Sequence, residues 1–159
     1  HEYIINKALE ICDKVLVFIG SSDKSGTIEN PFSYELREKL IKKIYGNEIV
    51  ENKLIISPLA DLGAGNVTKW GDYLFCEAEK ILRKVDCIVY GEESKCKSWF
   101  SEKIKKSVNF IVISRDDIKI NASTLREHMR KNDFESWKKF VNEKNWGEFG
   151  KMREILIKI

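Results

Sequence analysis

The residues in this chain best suited to chemistry are ones that hold phosphates. In the segment Ile120 to Arg126 (INASTLR), Asn121, Ser123 and Thr124 carry side-chain hydrogen-bonding groups where a helix opens. The first amides of a helix have no internal acceptors, and Arg126 follows within the first turns. Amides, hydroxyls and a guanidinium at one spot make an anion site, most naturally for a phosphate. The same residues also suit a plain helix cap beside a solvated arginine. A second grouping is Glu29-Asn30-Pro31-Phe32 with Arg37 beyond it. Pro31 stiffens the loop ahead of a helix, and Phe32 can serve there as a hydrophobic staple. A third is His1 with Glu2 at the start of the first helix. A lone terminal histidine carries little by itself.

These side chains need a frame, and apolar patterning supplies one. Ile4, Ile5, Ala8, Leu9 and Cys12 fall on one helical face. Lys14 to Ile19 (KVLVFI) is a continuous apolar run that stops at Gly20-Ser21-Ser22, as a buried parallel strand does. Ser33 caps a helix with Leu36, Leu40, Ile41 and Ile44 as its stripe, and Gly46 is expected to end it. Lys53 to Leu59 is a second strand. Asp61 to Asn66 is a glycine-bearing loop, and Trp70 to Val85 is a long amphipathic helix. Asp86 to Tyr90 is a third strand, broken at Gly91. Ser98 to Ile104 reads as a short helix and Val108 to Ser114 as a fourth strand. From Ala122 the pattern is helical to the end, with breaks near Asn132 and Gly147.

Strands alternate with helices, and each strand reads as buried on both faces. The expected class is therefore α/β with a doubly wound parallel sheet. Ligands in such sheets sit outside the carboxyl ends of the strands. The segments to watch are Gly20-Ser21-Ser22, Leu59 to Asn66, Gly91-Glu92 and Ser114 to Arg126.

Composition narrows the function classes. The 159 residues suit one domain, and 43% hydrophobic with 33% charged residues describes a folded chain. With two prolines and nine glycines, low-complexity and collagen-like architectures are excluded. No stretch approaches the ~20 apolar residues that cross a bilayer. No secretory layout is visible at the N-terminus, so a cytoplasmic protein is expected. The glycosylation-type triplets at Asn66 and Asn121 carry no weight in that setting. A net charge of +3, from 28 basic and 25 acidic residues, gives a mixed surface and no general nucleic-acid-binding face. The cysteines Cys12, Cys76, Cys87 and Cys96 form no C-x-x-C pair and no zinc spacing, and read as reduced, mostly buried thiols. No phosphate-loop motif, no G-x-G-x-x-G after a strand and no G-x-S-x-G elbow occurs. The usual NTPase, dinucleotide dehydrogenase and hydrolase readings fall away.

The order of motifs resembles the H-x-G-H nucleotidyltransferase superfamily, nearest to nicotinamide mononucleotide adenylyltransferases of the archaeal type. In that family a strand carrying G-x-F-x-P-x-H-x-G-H runs into a helix, and His1-Glu2-Tyr3-Ile4-Ile5 looks like the second histidine and the helix start. A strand ending in G-S-[SA] corresponds to Gly20-Ser21-Ser22, and E-N-P-F followed by an arginine to Glu29-Asn30-Pro31-Phe32 and Arg37. Ser57-Pro58, Asp61 and Trp70 match the next strand, its aspartate-bearing loop and a tryptophan. Tyr90-Gly91-Glu92 matches a glycine turn, and Ile120 to Arg126 matches I-S-[SAG]-T-x-[IV]-R, with Asn121 in place of the usual serine and Ser123 in place of threonine. The resemblance runs over 1–131, with 132–159 as a C-terminal helical extension packed on the same domain. It implies a further strand before His1, ending in His-x-Gly and completing the phosphate site.

The resemblance implies a Rossmann-like nucleotidyltransferase fold and adenylyl transfer from ATP, with Mg²⁺, to nicotinamide mononucleotide, giving NAD and pyrophosphate. His1 and Arg126 would be catalytic. Gly20, Ser21, Asn30, Arg37, Gly91, Ser123 and Thr124 would bind ATP and phosphate. Asp61 and Trp70 would bind the acceptor, Trp70 by stacking on the pyridine ring unless it is a core anchor of its helix. No protein-held metal is implied. The partners are ATP and the phosphorylated acceptor, with a homo-oligomer left open, and neither nucleic acid nor membrane. Two alternatives remain: a sister enzyme with phosphopantetheine, FMN or a sugar-alcohol phosphate as acceptor, and a non-catalytic nucleotide-binding module.

Overall fold

The computed structural model describes residues 1–62, 67–91, 96–114 and 120–159. Gly63 to Asn66 of the glycine-bearing loop, and Glu92, lie outside the described residues. The architecture is mixed α/β. Helix α1 (Glu2–Ile11) leads into β1 (Val15–Ile19), then α2 (Tyr34–Ile44), α3 (Gly46–Val50) and β2 (Leu54–Pro58). Next come α4 (Val67–Leu82), β3 (Cys87–Gly91), α5 (Glu102–Ser107) and β4 (Asn109–Ile113). Helices α6 (Ala122–Arg130), α7 (Phe134–Trp137) and α8 (Phe149–Leu156) follow, with 3-10 turns between the last two.

Among the described residues the four strands form two two-stranded sheets, β1 with β2 and β3 with β4, where one doubly wound sheet is expected. Both pairs are parallel. Val15 donates its amide to the Lys53 carbonyl at 2.7 Å and Leu59 to that of Ile19 at 3.1 Å, so the pairing climbs both strands together. In the other sheet Cys87 stands opposite Asn109 and Gly91 opposite Ile113. The expectation that each strand is buried on both faces fails at β4, where Val112 is 49% exposed. Among the described residues β4 pairs with β3 alone, so its other side is an edge, and an edge tolerates solvent.

The chain divides into two compact units. The first comprises His1–Val17, Lys53–Ile55 and Leu62–Asp117. Its core gathers Phe75, Phe100, Ile104 and Val108, with Ile88, Tyr90 and Phe110 packed against them. Phe100 and Phe110 meet edge to face at 5.3 Å between ring centres, a favoured aromatic geometry. Helix α1 lies on β3, burying Ile5 and Ala8, the centre of the stripe expected for it. At the C-terminal end of α1 the sulfurs of Cys12 and Cys87 are 3.6 Å apart. Burial, then the hydrogen bond with Cys87, pushes the Cys12 thiol up to about 11. Gly71 in α4 is buried so close to the next segment that a Cβ there would stand 2.0 Å from the Trp99 carbonyl oxygen. Instead of one helix over Ser98 to Ile104, a 3-10 turn (Cys96–Trp99) precedes α5. Phe100, 1% exposed, drives into the core between them.

The second unit comprises Phe18–Asn52, Ile56–Asp61 and Ile118–Ile159. Leu36 of α2, Met129 of α6, Trp137 of α7, and Phe149, Met152 and Leu156 of α8 form its core. Residues 132–159 thus bury the apolar faces of α2 and α6. Ser33 caps α2, accepting from the Leu36 amide at 3.3 Å. The helix ends at Ile44 without using Gly46 as a left-handed cap; Gly46 instead opens α3. A left-handed residue does mark the break after α6, where Asn132 has φ of +57°.

Candidate functional site

The second unit holds eight of the candidate residues: Gly20, Ser21, Asn30, Arg37, Asp61, Ser123, Thr124 and Arg126. The first unit holds His1, Trp70 and Gly91.

Gly20 and Ser21 leave the carboxyl end of β1 in a tight turn, with Ser21 in the left-handed region at φ +47°. A serine bears that conformation only when its surroundings hold it. Arg37 is one such hold. Its Nη1 donates to the Gly20 carbonyl at 2.7 Å and its Nη2 to the Ser21 carbonyl at 2.9 Å. Its Nε reaches the Ser33 carbonyl at 3.3 Å. Burial lowers the Arg37 pKa below the usual value, but a guanidinium stays charged throughout. In this conformation Arg37 orders the turn, spending donors on three backbone carbonyls.

The loop after β2 is tied to the same turn. Ser22 donates its amide to the Leu59 carbonyl at 3.1 Å. Asp61 accepts from Lys24 at 2.7 Å and from the Ser21 hydroxyl at 3.5 Å, while its own amide donates to Asp23 at 2.9 Å. The sequence reading missed Asp23 and Lys24. Both sit in a polar stretch with no periodicity, where nothing marks one charge above another. Asn30 closes the next bend, its amide donating to the Thr27 hydroxyl at 3.0 Å and its carbonyl accepting from the Thr27 amide at 3.3 Å. Gly26, at φ +70°, supplies the left-handed residue that this bend needs.

At the start of α6, Asn121 is the N-cap. Its Oδ1 accepts from the Thr124 amide at 2.9 Å and from the Thr124 hydroxyl at 3.2 Å. Thr124 is therefore engaged in the cap. Arg126 turns back along the helix, with Nη2 donating to the Ser123 hydroxyl at 3.3 Å. The guanidinium and hydroxyl stand together beside the first turn, whose Ala122 and Ser123 amides have no intrahelical acceptor. Electrostatically this is the positive end of a helix reinforced by a fixed cation.

In the first unit His1 is the N-cap residue of α1, exposed, with its carbonyl accepting from Ile5 at 3.0 Å and no side-chain cap. Trp70 is half-buried in α4, its ring 5.8 Å from that of Tyr73 and inclined at 45°. Gly91 is buried at the end of β3. Among the described residues no group of three or more His, Cys, Asp or Glu side chains is placed to hold a metal ion. None of the described helices is long and apolar enough to cross a membrane.

Set against known proteins, the chain matches no family model and no curated protein.

Proposed function

We propose that this chain is a nucleotidyltransferase that moves an adenylyl group from ATP to nicotinamide mononucleotide. The observation that carries the reading is the architecture of the second unit. The turn off β1 is clamped by Arg37 and tied to the loop off β2, and the unit also contains the Arg126–Ser123 pair at the opening of α6. Strand-end loops and a helix opening are where an α/β fold handles phosphates. The order of motifs along the chain supports the same reading, within a doubly wound nucleotidyltransferase fold.

In the proposed reaction an acceptor phosphate oxygen attacks the α-phosphorus of ATP in line. The bond to the bridging oxygen breaks, and pyrophosphate leaves. Such transfer needs positioning and charge neutralisation more than covalent help. ATP enters as its magnesium complex, so that ion arrives with the substrate. Arg126 and the first amides of α6 neutralise the β- and γ-phosphates. Ser123 holds the Arg126 guanidinium in register, and Asn121 with Thr124 keeps the first turn of the helix formed. Gly20 and Ser21 bring backbone close to a nucleotide phosphate, and Arg37 with Asn30 fixes the shape of that loop. For His1 the resemblance alone supplies a role, donation to the α-phosphoryl oxygens as charge builds. The acceptor roles rest on the resemblance alone, which gives Trp70 a π-face for the cationic pyridine and Asp61 a place in acceptor binding.

The test is pyrophosphate release from ATP and Mg²⁺ with a panel of acceptors: nicotinamide mononucleotide, phosphopantetheine, FMN and glycerol phosphate. Release that depends on nicotinamide mononucleotide, with NAD formed in equal amount, is expected. Release with another acceptor reassigns the substrate. ATP binding without release from any acceptor leaves a nucleotide-binding module, and no binding at all removes the reading.

A further inference from the structure

The first unit contains a thiol pair that the proposed reaction does not use. Cys12 closes α1, with its amide donating to the Ala8 carbonyl at 2.9 Å, and Cys87 opens β3. Their sulfurs touch at 3.6 Å, across 75 residues of chain. A disulfide needs sulfurs at about 2.05 Å, so the two must close by about 1.5 Å to bond. Both thiols are half-buried, while Cys76 is exposed with no thiol partner among the described residues.

We infer that Cys12 and Cys87 form a dithiol–disulfide couple, a site of reversible oxidation that staples the end of α1 to the start of β3. The oxidant is a small-molecule disulfide such as oxidised glutathione. One cysteine thiolate attacks a sulfur of that disulfide and expels one equivalent of reduced thiol, leaving a mixed disulfide on the protein. The second cysteine thiolate attacks the protein-side sulfur and expels the other equivalent. Two protein thiols are oxidised and one small disulfide is reduced to two thiols, with the two thiol protons passing to the departing thiolates. Because the sulfurs already touch, the second step is intramolecular and outruns further capture of glutathione. The crosslink closes a long loop of the unfolded chain, and the folded state gains accordingly.

The full chain is incubated with glutathione buffers of increasing oxidised fraction. Free thiols are then blocked with N-ethylmaleimide, and the protein is mapped by non-reducing peptide mass spectrometry. The expected product is a Cys12–Cys87 linked peptide, with glutathione confined to the other cysteines. The melting temperature should rise on the order of 10 °C on oxidation and fall back with dithiothreitol. In Cys12→Ser the remaining Cys87 should carry glutathione and the rise should vanish, whereas Cys76→Ser should behave as the wild type. Linkage of Cys12 or Cys87 to any other cysteine overturns the proposal. So does glutathione held separately on both in the wild type, or a pair that stays reduced while Cys76 reacts. The wild-type map decides the matter even where a serine variant fails to fold.

Discussion

Arg37 reaches back from α2 and donates to the Gly20 carbonyl at 2.7 Å, so a helix side chain sets the shape of the loop that leaves β1. With a second donation to Ser21, whose φ is +47°, the arginine holds a backbone shape that serine would not otherwise keep. Arg37→Met should therefore cost about 1–3 kcal/mol, the worth of hydrogen bonds from a charged donor. The amides of residues 21–24 should exchange with solvent faster in the variant, while those of α8 keep their protection. Uniform loss of protection throughout the second unit would show that Arg37 serves general stability and not the loop.

Arg126 makes the opposite case. Its guanidinium donates to the Ser123 hydroxyl beside the first turn of α6. An arginine of that kind contributes little to stability, but opposite a triphosphate it is worth several kcal/mol in the transition state. Arg126→Ala should lower kcat/KM by roughly two decades or more and leave the melting temperature nearly unchanged. Near-normal turnover would take Arg126 out of the site.

Much of this frame could be read from the chain, and the exceptions have physical causes. The apolar runs of β1, β2 and β3, the Ser33 cap and the Asn121 cap are local signals, visible within a few residues. Glycine often ends a helix, but at Gly46 the chain turns without a positive φ and starts another short helix. Over Ser98 to Ile104 the sequence pattern is helical. The burial of Phe100 and a Ser101 amide that donates to Asp72 at 2.8 Å break the segment into two pieces. Residues 132–159 match none of the motifs that carry the resemblance. Their work is tertiary: Trp137 and Phe149 pack with Leu36 of α2, Met129 of α6, and Met152 and Leu156 of α8, and helical spacing marks such residues as packing without naming their partners. At the candidate site the sequence marked Arg37 and Asp61, but not that their partners are backbone carbonyls and a neighbouring lysine.

The same tail creates an acid-sensitive contact. Glu148, 7% exposed as a residue, accepts from Lys39 at 2.8 Å and Lys43 at 2.5 Å on α2. Nearby, Asn145 donates to the Leu40 carbonyl at 3.1 Å and Lys144 to that of Ile44 at 3.0 Å. The two lysines, Lys39 foremost, draw the Glu148 carboxyl down to about 2. A carboxylate depressed in the folded state binds its proton more readily when unfolded, so its contribution is complete above the usual value near 4.5 and is lost as pH falls toward 2. With the lysines partly in solvent, that contribution is on the order of 2 kcal/mol. Glu148→Gln should flatten the stability profile between pH 4.5 and 2 in urea titrations. An unchanged slope would assign acid lability to other carboxylates.

Gly71 is the position where no side chain fits. A Cβ would lie 2.0 Å from the Trp99 carbonyl oxygen and 2.9 Å from the Phe100 amide nitrogen, both backbone atoms that cannot rotate aside. Gly71→Ala must push α4 away from the segment that carries Phe100 into the core. A loss of about 3 kcal/mol or more is expected, since overpacking against main chain exceeds the usual cost of an added methyl. Urea unfolding measures it, and a neutral substitution would mean that α4 can shift without disturbing Phe75 and Phe100.

Trp70 adjoins that fixed point in sequence, and its ring lies 5.8 Å from that of Tyr73. It stays half-buried, and the core of its unit is built from Phe75, Phe100, Ile104 and Val108 instead. A large aromatic left partly in solvent on a rigid helix suits stacking, which is worth on the order of 1–2 kcal/mol for a cationic ring. Trp70→Ala should accordingly raise KM for the pyridine mononucleotide by roughly five- to thirtyfold and leave KM for ATP unchanged. The melting temperature should move by only a few degrees, because the core keeps its members. A collapsed melting temperature, with KM for the mononucleotide unaltered in the protein that still folds, would make Trp70 an anchor of α4 and return the acceptor pocket to residues not yet named.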